Sequence, residues 1–339
     1  MNLTSDSRLT QCQQWIKAQF GLADLTLTVI SGDASFRRYF RFSYQQKTFI
    51  AVDAPPDKED SRPFVEMSLA YEQQGLKVPQ VIKADFEQGF MCLTDLGDRL
   101  LLPELNAQSV DHFYQQALAL LTPIAGITAS QRGRLPLYDE AMLRREMAQF
   151  TEWFLPRHLN LDLTTAQQQI FAQTVDILSD NALAQPQVGV HRDYHSRNLM
   201  LMPDNALAVI DYQDAVIGGI TYDAVSLLRD CYIRWPDELI YRHLLAFKAQ
   251  MAQTVEALAG VSDETFIRWF DLMGMQRHIK VCGVFSRLFY RDGKAGYLDD
   301  IPLTLNYLID VANKYPEFSA FAGLLETQVK PLLLSKIGK

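Results

Sequence analysis

Apolar positions in this chain change their period along its length. Ser7 to Phe20 puts Leu9, Cys12, Ile16 and Phe20 on one helical face, and Gly21 ends the run. Leu25 to Ile30, Phe36 to Ser43 and Lys47 to Val52 read as strands, with a turn at Ser31 to Ser35 between the first two. Ser61 to Gln74 reads as a helix, with Pro63 near its start and Gly75 at its end. Val78 to Ile82 and Phe90 to Thr94 give two more strands, and Gly97 breaks the chain. From Leu100 the spacing is helical. The runs are Ala107 to Ile127, Tyr138 to Phe154, Leu163 to Leu183 and Thr221 to Cys231. Pro236 to Leu258, Asp263 to Phe289, Ile301 to Lys314 and Pro316 to Leu334 complete them. The pattern predicts an α+β fold, a small antiparallel sheet followed by a larger helical part. The aromatic and methionine stripes read as core.

The helical part is interrupted at VGVHRDYHSRNLMLMPDNALAVIDYQD, residues 188–214. His191 to Asn198 is too polar for a core element. Leu199 to Met202 and Ala206 to Ile210 read as strands about the turn Pro203-Asp204-Asn205. A hairpin of this length brings Asp211 beside Asn198. An amide and a carboxylate side by side offer hard oxygens suited to magnesium. Asp193 precedes Asn198 by five residues and faces such a site without being a ligand. The run His191-Arg192-Asp193 with Asn198, then Ile210-Asp211, fits the spacing H-R-D-x-x-x-x-N followed by a metal-binding Asp. That arrangement serves phosphoryl transfer, in which the protein mainly positions nucleotide, metal and acceptor hydroxyl. A polar surface hairpin with turn-capping aspartates leaves the joint spacing unexplained.

Composition narrows the reading. Of 339 residues 48% are hydrophobic and 21% charged, as in ordinary globular proteins. Net charge is −8 and no basic tract exceeds two residues, which argues against a nucleic-acid partner. Cys12, Cys92, Cys231 and Cys282 lie far apart with no CxxC, and so read as buried thiols of a reducing compartment. No apolar run reaches the ~20 residues of a membrane span, and Met1 to Gln11 lacks signal-peptide character. The expected location is cytoplasmic, with no membrane and no obligatory protein partner. There is no GxxxxGK[ST], HExxH or GxSxG.

HRDYHSRNLM and IDYQDAVIGGITYDAVSLL resemble the aminoglycoside phosphotransferase family, small-molecule kinases of protein-kinase-like fold. GDASFRRYFRF, VDAPPD, LTDLGD and LLRDCYIRWP resemble a branch of it that phosphorylates amino sugars at the anomeric hydroxyl in bacterial cell-wall recycling. The resemblance implies an N-lobe over 1–96 and a helical C-lobe over 97–339, the latter holding the catalytic loop at 188–214 and the acceptor site. It implies ATP and Mg2+ as cofactors and an amino sugar as the small-molecule substrate. Asp193 is the expected catalytic base, with His195 either near the transferring phosphoryl or bonded within the loop. Asn198 and Asp211 are the expected metal ligands. Gly32 and Ser35 would meet phosphates, and Leu93, Thr94 and Leu96 the adenine. The family's strand lysine is missing: Asp53 stands at that position. Arg37, Arg38 or Arg41 is the expected replacement, and Glu66 its possible partner. Asp223 would hold the loop's backbone. The alternatives are a kinase of another small alcohol (aminoglycoside, choline or homoserine) and a nucleotide-binding pseudokinase, the latter suggested by Asp53.

Overall fold

The structure is a computed structural model that describes residues 6–30 and 36–337. In chain order it forms α1 (Ser7–Phe20), β1 (Thr28–Ile30), β2 (Arg38–Tyr44), β3 (Lys47–Asp53), α2 (Arg62–Gln73), β4 (Val81–Asp85) and β5 (Phe90–Thr94). There follow α3 (Val110–Ala125), β6 (Ala129–Ser130), β7 (Gly133–Arg134), α4 (Glu140–Gln149), α5 (Thr165–Ala184) and β8 (Gln187–Val190). Next come β9 (Leu199–Leu201), β10 (Leu207–Val209), β11 (Val216–Gly219), α6 (Tyr222–Leu228) and α7 (Asp237–Met251). The chain closes with α8 (Asp263–Asp292), α9 (Ile301–Lys314), α10 (Ser319–Leu324) and α11 (Lys330–Ile337).

Two compact units result. The first comprises Met1–Leu100, Ala129–Arg134 and Asn198–Asp214, and the second Leu101–Thr128, Leu135–Arg197 and Ala215–Lys339. This differs from a division at residues 96 and 97, because the β9–β10 hairpin belongs to the first unit. Its backbone explains why: Leu201 N donates to Arg99 O at 2.7 Å and Val209 N to Lys77 O at 2.8 Å.

In the first unit five antiparallel strands run in the order β1-β2-β3-β5-β4. Leu9, Cys12, Trp15 and Ile16 of α1 pack on Phe40, Phe42, Ala51, Phe90 and Cys92. Strand alternation puts every second residue on that face. Arg38 and Asp53, which face each other across β2 and β3, therefore share it with Phe40 and Ala51. Asp53 is fully buried. It accepts hydrogen bonds from Arg8 Nε at 2.8 Å and Arg38 Nε at 2.9 Å, and Arg38 continues to Asp6, the N-cap of α1. The carboxylate at the lysine position is thus a clasp for α1 and lies on the sheet face that α1 covers.

The second unit is built on α8, whose thirty residues pack with α4, α5, α6 and α9. Gly283 lets α8 approach the end of α4 closely: a Cβ there would stand 2.4 Å from Gln149 C. β8 pairs with β11, a strand not expected from the sequence. β4 starts at Val81 rather than Val78. The expected helix from Tyr138 to Phe154 is α4 followed by a π-helical stretch, Phe150–His158, that holds Pro156; a proline removes an amide donor and widens the turn. All four cysteines are free and buried. Among the described residues no helix is long and apolar enough to cross a membrane.

Removing one partner of a buried ion pair costs on the order of 3 kcal/mol. Asp53→Ala should therefore lower the thermal midpoint by roughly 5–10 °C. Asp53→Lys, which restores the family's lysine, should lower it further by setting a third cation against Arg8 and Arg38. Calorimetry that finds the lysine variant as stable as wild type overturns the clasp.

Candidate active site

The loop from His191 to Arg197 belongs to the second unit and leaves β8 directly. Arg192 has φ +77°, a left-handed conformation that is costly for a residue with a Cβ. Asp223 offsets that cost. Its carboxylate accepts from His191 N at 2.7 Å and from Arg192 N at 3.0 Å. Asp230 accepts from Ser196 N at 3.0 Å and Ser196 Oγ at 2.5 Å. Asp223 sits in the first turn of α6, and Asp230 lies just beyond its end. Between these points Tyr194 is buried and donates to Ala117 O at 2.8 Å, and Asp193 N donates to His191 Nδ1 at 3.3 Å. Asp223 has the backbone-holding place expected of it. Asp230 is fully buried and does the same at the loop's far end.

Charge around Asp193 is arranged by a second group of side chains. Glu146 of α4 is buried and pairs with Arg192 and with Lys280 Nζ of α8, the latter at 3.2 Å. Tyr138 OH also donates to Glu146, and Gln276 Nε2 donates to Tyr138 OH at 3.0 Å. Lys280 Nζ reaches Tyr222 OH at 3.1 Å. Burial works to raise the Asp193 carboxyl, but Lys280, His195, Arg192 and Arg277 outweigh it and hold the group at about 2. Asp223 is different: burial pushes it up to about 7, against the two backbone donors. Asp193 is thus a carboxylate held below its usual range on a fixed loop. His195 stands edge-on to Tyr232 with ring centroids 5.3 Å apart.

The other acidic site lies in the first unit. Asn198 Nδ2 donates to Asp211 Oδ2 at 3.2 Å, and Ile210 N donates to Asn198 O at 3.1 Å. The expected approach of Asn198 and Asp211 is therefore present. Asp211 has φ +66°, and Gln213 Nε2 holds its Oδ1 at 2.7 Å. Tyr212 is buried between Phe64 and Tyr71, with centroids 5.2 and 5.1 Å away, and points its hydroxyl at Pro79 O. One amide and one carboxylate could hold magnesium, which keeps several positions for water and phosphate oxygens. Among the described residues no cluster of three or more His, Cys, Asp or Glu could bind a metal, so an all-protein cage does not arise there.

The remaining expected residues separate. Gly32 and Ser35 lie outside the described residues. Arg38 is tied to Asp6 and Asp53, and Arg41 to Asp95 at 2.6 Å and Asp98 at 2.8 Å. Arg37 is buried, with its guanidinium 5.5 Å from the centroid of Phe64, the ring stacked on Tyr212, and 3.6 Å from Glu59. Glu66 pairs with Arg132 at 3.1 Å, on the β6–β7 turn rather than with an arginine of β2. Leu93 is buried in the sheet opposite Ile50. Thr94 donates its amide to Gln80 O at 3.0 Å and accepts from Gln80 N at 2.9 Å through its hydroxyl, so its donor is committed within the sheet. Leu96 is half-buried on the segment that Arg41 clamps. Glu146 and Lys280 were not expected from sequence, since nothing near the loop in the chain points to either.

Comparison with known proteins follows the same line. The model of the phosphotransferase enzyme family matches residues 26–260. The N-acetylmuramate/N-acetylglucosamine kinase of Neisseria meningitidis serogroup B is 40% identical over 323 residues, covering 94% of this chain and 95% of that protein. The protein of the same name from Pseudomonas aeruginosa is 40% identical over 295 residues, covering 87% and 86%. Among solved structures, the Plasmodium vivax ethanolamine kinase aligns with TM-score 0.63 over 94% of this chain and 98% of that one. At 10% identity that likeness bears on the fold alone. A loop that fixes an ionised aspartate, a hairpin that pairs amide with carboxylate, and matches along nearly the whole chain converge: the chain belongs to the phosphotransferase enzyme family and has its protein-kinase-like fold.

Proposed function

We propose that the protein transfers the γ-phosphoryl group of ATP to the anomeric hydroxyl of N-acetylmuramate and N-acetylglucosamine, as a step of cell-wall recycling in the cytoplasm. The observation that carries the reaction class is the loop of Asp193, fastened at both ends by Asp223 and Asp230. The choice of acceptor is supported by relatives that bear both sugars in their names at 40% identity. Asp193 orients the acceptor hydroxyl and takes its proton late in the transfer. Phosphoryl transfer asks for positioning more than basicity, so a carboxylate held at about 2 is adequate. An anomeric hydroxyl is more acidic than an ordinary alcohol, which eases the demand on that base. Asn198 and Asp211 would hold magnesium, which would neutralise charge on the phosphate oxygens. The segment at Leu96 takes the adenine edge. A pseudokinase reading loses its motive, because Asp53 is accounted for as the clasp of α1.

Arg37 is the replacement for the missing lysine on this reading. Its ring stack leads to Tyr212, the neighbour of Asp211, whereas Arg38 and Arg41 each serve two carboxylates. Steady-state kinetics of three alanine variants test it. Arg37→Ala should raise the KM for ATP by about tenfold or more, the value of a charged hydrogen bond, while Arg41→Ala and Arg38→Ala act through thermal stability. A normal ATP KM in Arg37→Ala removes the assignment.

Asp211→Ala should abolish magnesium-dependent ATP binding in titration calorimetry and leave the ligand-free thermal midpoint close to wild type. Equal affinity in the two proteins takes Asp211 out of the metal site.

The acceptor is tested with a sugar panel. N-Acetylmuramate and N-acetylglucosamine should each yield the 1-phosphate, and the methyl glycoside of N-acetylglucosamine, whose anomeric oxygen is blocked, should be inert. Phosphorylation of that glycoside, or turnover of kanamycin with neither amino sugar, overturns the reading.

A further inference from the structure

The side chains that leave the catalytic loop after Asp193 meet an aromatic group that the proposed chemistry has not used. The ring of His195 stands edge-on to Tyr232, and Arg197 lies over the same Tyr232 ring with Cζ 3.6 Å from its centroid. Tyr232 stacks on Phe285 of α8 at 6.5 Å, and Phe285 packs on Tyr297 at 5.1 Å. The short 3-10 turn that carries Tyr297 ends at Asp300. Asp300 occupies the N-cap position of α9, but its side chain makes no capping bond. Its Oδ2 is buried and has no hydrogen-bond partner among the described residues. Arg197 Nη1, its ion-pair partner, is 3.9 Å away, beyond hydrogen-bond reach.

We infer that Tyr232, Arg197 and Asp300 form the acceptor-sugar subsite, in which Arg197 binds the carboxylate of N-acetylmuramate and Asp300 accepts hydroxyl hydrogen bonds common to both sugars. The inference rests on the acceptor proposed above. A pyranose has an apolar C–H face and a polar rim; Tyr232, whose ring faces Arg197 and Phe285, acts by holding the guanidinium flat rather than by meeting the first. A buried carboxylate oxygen without a donor suits the second, because a site left unpaired without its hydroxyl selects for ligands that bring one. Burial pushes Asp300 up to about 6, with Arg197 opposing and Asp230 and Asp299 adding to the rise. That is the state of a carboxyl group lacking the donors that would settle its charge.

Arg197 is suited to a carboxylate by geometry. Its guanidinium is planar, held flat by Tyr232, and its side chain is 40% exposed. Other arginines of this unit are engaged more closely: Arg192 by Glu146, Arg229 by Asp271 at 2.8 Å, Arg144 by Glu140 and Asp176 at 2.8 Å each, and Arg234 by Asp310 at 2.7 Å. Acceptance of both sugars follows from the loose pair. With N-acetylglucosamine, which has no carboxylate, Asp300 still balances the charge of Arg197. With N-acetylmuramate the guanidinium gains a closer partner.

The test is steady-state kinetics of wild type, Arg197→Gln, Arg197→Lys and Asp300→Asn with each sugar at saturating magnesium-ATP, together with the KM for ATP and the thermal midpoint. Arg197→Gln should lower kcat/KM for N-acetylmuramate about tenfold or more beyond its effect on N-acetylglucosamine, the scale of a charged hydrogen bond. The loss should fall on KM, with the ATP KM within about twofold of wild type, and Arg197→Lys should recover part of it. Asp300→Asn should raise the KM of both sugars. Equal losses for the two sugars in Arg197→Gln, or a raised ATP KM, overturn the carboxylate role. Unchanged sugar KM values in Asp300→Asn overturn the hydroxyl role. A wild type that phosphorylates neither sugar overturns the acceptor reading and the subsite with it, whereas an active wild type with an unselective Arg197→Gln overturns the subsite alone.

Discussion

The reactive loop of the second unit depends on two carboxylates delivered by one short helix. α6 is buried along its whole length, and Asp223 and Asp230 project from its two ends. Each accepts two hydrogen bonds from the loop, from His191 and Arg192 at one end and from Ser196 at the other. A buried helix cannot shift without disturbing core packing, so the loop inherits its rigidity. α6 is in turn fixed at its end. Arg229 pairs with the buried Asp271 of α8, which also accepts from Lys314 Nζ at 2.5 Å and Tyr315 OH at 2.7 Å. The left-handed Arg192 is tolerable only in such a setting, since its unfavourable φ must be over-determined by its surroundings.

Legibility in the sequence tracks distance along the chain. The hairpin that joins Asn198 to Asp211 is local, and spacing with a turn signal was enough to bring the two side chains together. The alternating strands and amphipathic helices were visible for the same reason. What is not local was invisible. Glu146 and Lys280 come from two helices far apart in the chain, and each looks like an ordinary helical charge until the helices cross. The same is true of Asp271, reached from α6, α7 and α9. β11 was missed because VIGG is short and flanked by polar turns, so its pairing with β8 had no periodic signal. The membership of the hairpin in the first unit was not readable either, because the contacts that decide it are backbone bonds to Lys77 and Arg99.

Asp53 shows how a positional match leaves a residue's role open. At the place of the family's phosphate-binding lysine a carboxylate looks like a defect. Side-chain direction gives it a structural role. Phe40 and Phe42 are plainly core, Arg38 shares their side of β2, and Asp53 is its cross-strand partner. The alternation was in the sequence; the fact that α1 would cover that face was not. Once α1 is placed, the carboxylate has two arginines to satisfy, and a lysine would leave three cations together.

The field around Asp193 also bears on what the protein can phosphorylate. Lys280, Arg192 and Arg277 keep the carboxylate ionised, and that makes it a weak base. A base of that kind cannot strip a proton from an unactivated alcohol before transfer begins. In the role proposed for Asp193, the carboxylate aligns the hydroxyl and receives the proton once the bond to phosphorus has formed, when the oxygen has become strongly acidic. The barrier then depends on alignment and on the intrinsic acidity of the acceptor. Two of the cations that weaken the base, Arg192 and Lys280, also join α4, α8 and the loop through Glu146, so rigidity and low basicity share an origin in this fold.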